Sequence, residues 1–185
     1  MRSAEDDFIE FAGASSLRLR RTAYLLCGDW HTAEDLTQAT LAKVFVAWRR
    51  LREPQAAHAY ATRTLLNTYL ADKRRKRPRE LLAYPLPDPV VQAPQPEIRM
   101  AVVAALAELP PKARAVVVLR YWADQSIEQV AATLGCSPGN VKSQSARALA
   151  RLRELLENAD RAADEDNRPV KATAPRTRTG DQTRG

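Results

Sequence analysis

The stretch Ser126 to Arg153, SIEQVAATLGCSPGNVKSQSARALARLR, constrains this chain more than any other. Ser126 suits an N-cap, and Gln129 three residues on completes a capping box. Ile127, Val130, Ala131 and Leu134 then form an apolar stripe at helical spacing. Gly135 stands where a helix ends in a left-handed turn. Ser137 is the next N-cap, and Pro138 takes the first helical position, where its missing N–H costs nothing. Val141, Ser145, Ala148, Leu152 and Leu156 fall on one face of the second helix, and Lys142, Ser143, Ala146 and Arg147 lie off it. A short helix, a tight Gly-containing turn and a second helix with a basic polar face predict a helix-turn-helix. Such a second helix fits the major groove of DNA. Asn140, Lys142, Ser143, Gln144 and Arg147 carry the groups that hydrogen-bond base edges there. The competing reading is a helical hairpin with a solvated basic face.

Charge points the same way. Among 185 residues, 29 Lys and Arg against 22 Asp and Glu leave a formal charge of +7, which favours a polyanionic partner. Strand-like alternation is hard to find, so the chain reads as all-α: two small helical domains joined by a Pro-rich linker. No apolar run approaches the ~18 residues of a membrane span, and the acidic N-terminus MRSAEDDFIEF has no signal-peptide core. The expected compartment is the cytoplasm, without membrane insertion. Cys27 and Cys136 form no CxxC, and His31 and His58 have no ligand-spaced partners, so neither a metal nor a cofactor is expected. Both cysteines read as small buried hydrophobes. A redox role for Cys27 beside His31 is the rival reading. No nucleophile–base pair, metal cluster or phosphate loop is present in the pattern, which argues against an enzyme.

Ahead of the helix-turn-helix, Glu5 to Cys27 fits one or two amphipathic helices, with a break near Gly13 in the second case. Thr32 with Asp35 three residues later predicts a capping box for the next helix. Its core stripe is Leu36, Thr40, Val44, Trp48 and Leu51, widened by Leu41 and Phe45. Asp35, Gln38 and Ala42 fall off that stripe. With Glu34 they make an acidic-polar patch, read either as a solvated first turn or as a docking patch for a partner helix. A third helix runs from about Gln55 to Arg77, with Ala59, Thr62, Leu66, Tyr69 and Leu70 facing inward and Arg63, Asn67 and Arg74 stacked on another face. It ends in the basic run Lys73 to Arg77, longer than capping requires and suited to phosphates. Residues 80–96 are rich in proline and read as a linker spanning at most about 55–60 Å. Helical pattern resumes at Glu97, and Pro110-Pro111 starts another helix. It decays after about Leu156, and residues 160–185 read as a disordered tail.

The whole order resembles the extracytoplasmic-function sigma factors of bacterial RNA polymerase, in a subgroup common in actinobacteria. AEDLTQATLAKVFVAW and a basic helix in the first domain, then LPPKARAVVVLRYWADQSIEQVAATLGCSPGNVKSQSARALARLR in the second, carry the resemblance from about Phe8 to Leu156. It implies a region-two domain over 5–78, a linker over 79–96, a region-four domain over 97–157 and a tail over 158–185. By the resemblance, Ala33 to Trp48 docks on the β′ clamp helices of core polymerase, with Asp35 and Gln38 at the partner-facing positions and Glu34 and Leu36 beside them. A contact with the β flap is also implied. The loop and helix from about Arg52 to Arg77, with Arg63, Asn67, Arg74 and Arg75, would recognise the −10 promoter element. Tyr60 and Tyr69 are the aromatics near the melting region. Pro138 to Arg153 would read the −35 element, about two helical turns away. The family leaves an anti-sigma factor open as a further partner. Ala39, Ala71, Gln129 and Gln144 depart from residues common in the family. Gln144 stands where Arg is common, at the edge of the polar face, where it either reaches a base or flanks the core. The alternative function is a stand-alone helix-turn-helix regulator, which has no use for the Ala33 to Trp48 patch.

Overall fold

The computed structural model describes residues 3–51, 53–75 and 96–166. Among them are seven α-helices and no strand: α1 (Ala4–Cys27), α2 (Trp30–Ala47), α3 (Pro54–Arg75), α4 (Pro96–Ala107), α5 (Pro111–Val117), α6 (Ile127–Leu134) and α7 (Pro138–Asp166). A 3₁₀ turn, Trp48–Arg50, follows α2, and a π-helical turn, Val118–Trp122, follows α5. The basic run beyond Arg75, Arg52, most of the Pro-rich segment and the tail beyond Asp166 lie outside the described residues.

Helices α1 to α3 form an antiparallel-type bundle in which α2 packs on both others. Helix α1 starts with a capping box between Ser3 and Asp6 and passes Gly13 unbroken, which decides between the one-helix and two-helix readings. It ends at Gly28, whose φ of 77° is left-handed, with its N–H bonded to the Tyr24 carbonyl. Asp29 then caps α2, accepting from the Thr32 amide at 2.7 Å. The expected Thr32 cap is thereby corrected: the helix starts at Trp30, Thr32 donates rather than caps, and Glu34 and Asp35 sit one turn in. Between the two caps the Cys27 thiol donates to the Asp29 carbonyl at 3.1 Å. Burial pushes that thiol up to about 11.

The core stripe of α2 is confirmed at Leu36, Thr40 and Val44, all buried, and fails at Phe45, half exposed. The hydroxyls of Thr37 and Thr40 are satisfied by the carbonyls one turn earlier, Ala33 and Leu36, each at 2.7 Å. In α3 the buried face is Ala57, Ala61, Leu65, Leu66 and Tyr69. Leu66 and Tyr69 are buried as expected, but Ala59 is exposed because the buried face extends to Ala57, Ala61 and Leu65, centred roughly a quarter turn from the expected one. His58 ties α3 to α1: its Nδ1 lies 2.8 Å from the Arg18 guanidinium and 3.3 Å from Ser15 Oγ. A guanidinium only donates, so Nδ1 accepts and the ring is neutral. Burial, then the Arg18 charge, lowers its pKa accordingly.

The last four helices close around Leu106, Leu109, Val116, Val118, Leu119, Val130 and Val141. Pro111 opens α5 at its first turn, as expected. The turn before α6 contains Asp124 at φ 50°, and Arg120 donates to the Gln125 carbonyl across it. Ser126 and Gln129 form the expected capping box of α6, and Gly135 ends it at φ 64°. Helix α7 continues to Asp166, well past Leu156. Exposed pairs such as Arg151–Glu154 at 3.1 Å and Arg161–Glu157 at 3.8 Å accompany a stretch without core pattern.

The two helical groups do not stand apart. Helix α1 packs on α4 and α5, α3 packs on α5 and α6, and the buried residues of both groups form one continuous cluster. Arg114 of α5, only 6% exposed, reaches across: it donates to the Leu26 carbonyl at the end of α1 at 2.7 Å. Its other nitrogen donates to the carbonyls of Ala107 and Leu109 in its own group.

Two glycines of the first helix predict opposite signs. Gly28→Ala places a Cβ at a left-handed residue and should lower unfolding free energy by about 1–2 kcal/mol. Gly13→Ala meets nothing within 4 Å and removes only unfolded-state entropy, so it should raise stability by roughly 0.5–1 kcal/mol. Urea titration of the two variants checks both. The Cys27 thiol, protonated far above neutrality, should alkylate at pH 8 about 100-fold more slowly than a free cysteine, measured by mass spectrometry of the modified peptide.

Candidate nucleic-acid and partner interfaces

The first surface lies on α1 and α2. Asp35 and Gln38 are exposed on α2. Glu34, partly buried, ties Gln38 to α1: its Oε2 lies 3.4 Å from Arg20, and its Oε1 accepts from Gln38 Nε2 at 2.9 Å. Glu34 thus holds the Gln38 amide while its side chain stays 44% exposed. Leu36 is a correction to the docking set: at 3% exposure it faces the core between the helices, away from any partner. Sequence reasoning missed what lies beside Gln38. A groove of about 590 Å³ is lined by Phe8, Ile9 and Ala12 of α1 and by Gln38, Leu41, Ala42 and Phe45 of α2. Phe8 floors it, edge-on to Phe45 at 4.9 Å and to Trp48 at 5.4 Å. Ile9 in the groove is 67% exposed, and Val46, next to Phe45 in sequence, is 85% exposed. The available signal was Phe45 and Val46 directly after Val44, since no single buried face accommodates all three.

The second surface is the outer face of α3. Arg63, Asn67 and Arg74 are all exposed there. The Arg75 side chain lies outside the described residues. Arg49 and Arg50, exposed in the 3₁₀ turn, are further cations of this half of the molecule, unremarked in the sequence reading. Lys43 of α2 braces the helix, donating to Thr68 Oγ1 at 2.9 Å. Of the two aromatics, Tyr60 is 37% exposed, whereas Tyr69 is 1% exposed in the shared core. Lys73 lies over the Tyr69 ring at 5.9 Å. Tyr69 therefore cannot stack on an extruded base, and Tyr60 alone of the pair is presented.

The third surface is the N-terminal half of α7. Ser137 caps it, accepting from the Asn140 amide at 3.2 Å. Val141, Ser145 and Ala148 are buried against α5 and α6. Asn140, Lys142 and Arg147 are exposed; Ser143 and Gln144 are partly buried. Ser143 Oγ turns back to the Asn140 carbonyl at 3.1 Å. Gln144 Nε2 donates to Asn140 Oδ1 at 2.5 Å, so the two amides form one unit one turn apart on the helix. A helix of this kind, with an open Asn, Lys and Arg at its start, has the shape and donors for a major groove.

Among the described residues no group of three or more His, Cys, Asp or Glu is placed to hold a metal ion, and no helix is long and apolar enough to cross a membrane.

Two family models match this chain. Residues 14–79 match the family model Sigma-70 region 2, and residues 99–152 match Sigma-70, region 4. The RNA polymerase sigma-E factor of Streptomyces antibioticus is 38% identical over 179 residues, spanning 92% of this chain and 99% of that protein. That of Streptomyces coelicolor is 39% identical over 155 residues, 81% of this chain and 86% of the relative. The ECF RNA polymerase sigma factor SigE of Mycolicibacterium smegmatis is 34% identical, over 75% of this chain and 57% of its own. In fold, the chain is similar to the sigma factor RpoE of Bartonella quintana in complex with the anti-sigma factor NepR, with a TM-score of 0.69 and 28% identity, covering 82% of this chain and 97% of that one. Two sigma-type regions in order on one all-α chain, and Streptomyces relatives aligned over 86% and 99% of their length, place this protein among the extracytoplasmic-function sigma factors of bacterial RNA polymerase.

Proposed function

We propose that the three surfaces divide the work of promoter-specific initiation, with residues 5–78 holding polymerase and the −10 element and residues 97–157 reading the −35 element. The α1–α2 groove takes a helix of core polymerase, with Phe8, Ile9 and Phe45 supplying desolvated contact and Gln38, oriented by Glu34, and Asp35 supplying direction. This is the layout of an interface with an apolar centre and a polar rim. Arg63, Asn67 and Arg74 engage the −10 strand, with Tyr60 as the stacking candidate, and Arg75 extends the phosphate contacts. Asn140, Lys142, Ser143, Gln144 and Arg147 read the −35 duplex. The chain acts in the cytoplasm as a specificity subunit rather than as an enzyme. An anti-sigma factor is a further partner class, as in the complex of the Bartonella relative. The observation that carries this reading is the groove beside Gln38: a stand-alone duplex-binding regulator has no use for exposed Ile9 and Val46 on the domain that does not carry the helix-turn-helix.

The reading is tested by transcription in vitro with core polymerase on a promoter library. Asp35→Ala with Gln38→Ala should reduce core binding by at least tenfold with helicity unchanged, and Phe45→Ser should do the same from the apolar side. Unaltered competition for core by both variants would remove the docking assignment. At the −35 element, Gln favours adenine and Arg guanine. Gln144→Arg also breaks the amide pair with Asn140, so the library should show a changed preference at one or two adjacent −35 positions and a loss of about 1–3 kcal/mol on the original site. Identical motifs from the two proteins leave Asn140, Ser143 and Arg147 as the readers.

A further inference from the structure

We propose that the apolar cavity between α1, α4, α7 and the π-helical turn is a binding site for a small amphipathic monocarboxylate, with Arg21 taking the carboxylate and the cavity its apolar body. The site lies apart from the three surfaces described above, since its lining residues belong neither to the α1–α2 groove nor to the outer face of α3 nor to the start of α7. Its walls come from several elements: Leu25 of α1, Val102 of α4, Trp122 of the π-helical turn and Leu152 of α7. Its volume is about 450 Å³. Small-molecule sites run from about 300 to 1,000 Å³ and favour junctions between helices. At the roughly 30 Å³ of one water-sized group, the cavity holds on the order of ten to fifteen non-hydrogen atoms. A helix of another protein is about 10 Å across, so the same volume would take roughly one turn of it. A ligand of small-molecule size fills the cavity, whereas a partner helix would leave most of its length outside.

The charge pattern selects the class of ligand. Among the described residues that line the cavity, only Arg21 carries a charge. It is partly buried, and among the described residues it has no hydrogen bond or ion pair. The positions three and four away on α1 are Leu17, Arg18, Tyr24 and Leu25, so its own helix supplies no acid. The other arginines of this stretch are engaged, Arg18 with His58 and Arg20 with Glu34. A guanidinium beside an apolar wall binds a carboxylate through two parallel N–H···O bonds, and the low local dielectric strengthens them. The same charge repels a cationic ligand. A phosphate monoester brings close to two charges and three acceptor oxygens, more than one guanidinium satisfies. The far wall specifies the apolar body. The backbone departs from α geometry in the π-helical turn, a departure common at functional sites. Its Tyr121 and Trp122 line the cavity and are 55% and 51% exposed, so they stand at the rim. Covering these rings removes apolar surface from water, which drives insertion of the ligand's chain.

The probe is decanoate, titrated into the full chain by isothermal calorimetry below its own aggregation, with decanol, decyltrimethylammonium and acetate as controls. Decanoate should bind one to one with a negative heat-capacity change, and should raise Tm as its concentration rises. Decanol, which lacks the charge, should bind roughly tenfold more weakly. The ammonium amphiphile and acetate should give no measurable heat. Arg21→Gln should weaken decanoate by about tenfold and bring it level with decanol. That loss of discrimination is a readout that a merely structural role for Arg21 would not move. Val103→Phe, at a partly buried position of α4 in the lining, fills the cavity and should abolish binding of both ligands. A loss of helicity in Val103→Phe hands the decision to Arg21→Gln. No binding of decanoate would overturn the proposal, as would equal affinity for decanoate and decanol in the unaltered chain. Decanoate bound undiminished by Arg21→Gln, or by a folded Val103→Phe variant, would place the amphiphile elsewhere and overturn it too. Polymerase and DNA are absent from every arm, so the outcome is independent of the promoter and docking assignments.

Discussion

The Arg114 guanidinium joins the two halves of this molecule in a way that apolar packing by itself does not. Leu26 sits in the last turn of α1, where a helix leaves its final carbonyls without intrahelical partners. Gly28 turns the chain left-handed and returns its N–H to the Tyr24 carbonyl, which leaves the Leu26 carbonyl pointing out of the bundle into the contact. Buried there, it would cost about 1–3 kcal/mol if unpaired. Arg114 satisfies it from α5 and also holds the carbonyls of the α4–α5 turn. The geometry of one half thus depends on how a helix in the other half ends. Arg114 Nε and the Tyr69 hydroxyl are buried without a hydrogen-bond partner. Those unpaired groups make the shared core less favourable than its apolar area suggests.

The surfaces that matter for function are segregated from that contact by helical geometry. Each relevant helix has one face committed to the core and another left with groups that have no role in it. On α2 the committed face is Leu36, Thr40 and Val44, and the free face changes along the helix from Asp35 and Gln38 to Phe45 and Val46. On α7 the committed face is Val141, Ser145 and Ala148, leaving Asn140, Lys142 and Arg147 outward. Helix α3 is committed twice. Leu65, Leu66 and Tyr69 pack inward among both halves, and only the Arg63, Asn67 and Arg74 face remains for nucleic acid.

Local chemistry made much of this legible from the chain itself. Ser126 with Gln129, Gly135, Ser137 and Pro138 announced the helix-turn-helix, because caps and left-handed glycines act through backbone groups within a few residues. The same reasoning misplaced the start of α2. Thr32 with Asp35 and Asp29 with Thr32 are equally good local pairs, and the choice between them was made by Gly28, which ends α1 so abruptly that α2 has to begin at once. Tertiary context decided what periodicity left open. Tyr69 could have served the core or a DNA strand, and at 1% exposure it serves the core. The docking groove was invisible for a related reason: Phe8 and Ile9 belong to one helix and Leu41 and Phe45 to another, and no pattern within a single helix shows that their unburied sides meet.

A partly buried Gln144 resolves into a physical question about amides. Donating to Asn140 Oδ1 uses one Gln144 hydrogen and one lone pair of the Asn140 oxygen, leaving Gln144 with a hydrogen and its carbonyl, and Asn140 with both of its N–H groups. Adenine presents one acceptor and one donor in the major groove, and guanine presents two acceptors. The pair as a unit still offers both kinds of group, whereas an arginine at the same position offers donors only. The departure from the arginine common in the family is therefore a change in the kind of base edge this helix can satisfy. It also changes how Asn140, at the capped start of α7, is held before any DNA arrives. A side chain already restrained by its neighbour loses less rotamer freedom on binding than a free one. Sequence preference and preorganisation at this point of the recognition helix are thus set by the same hydrogen bond.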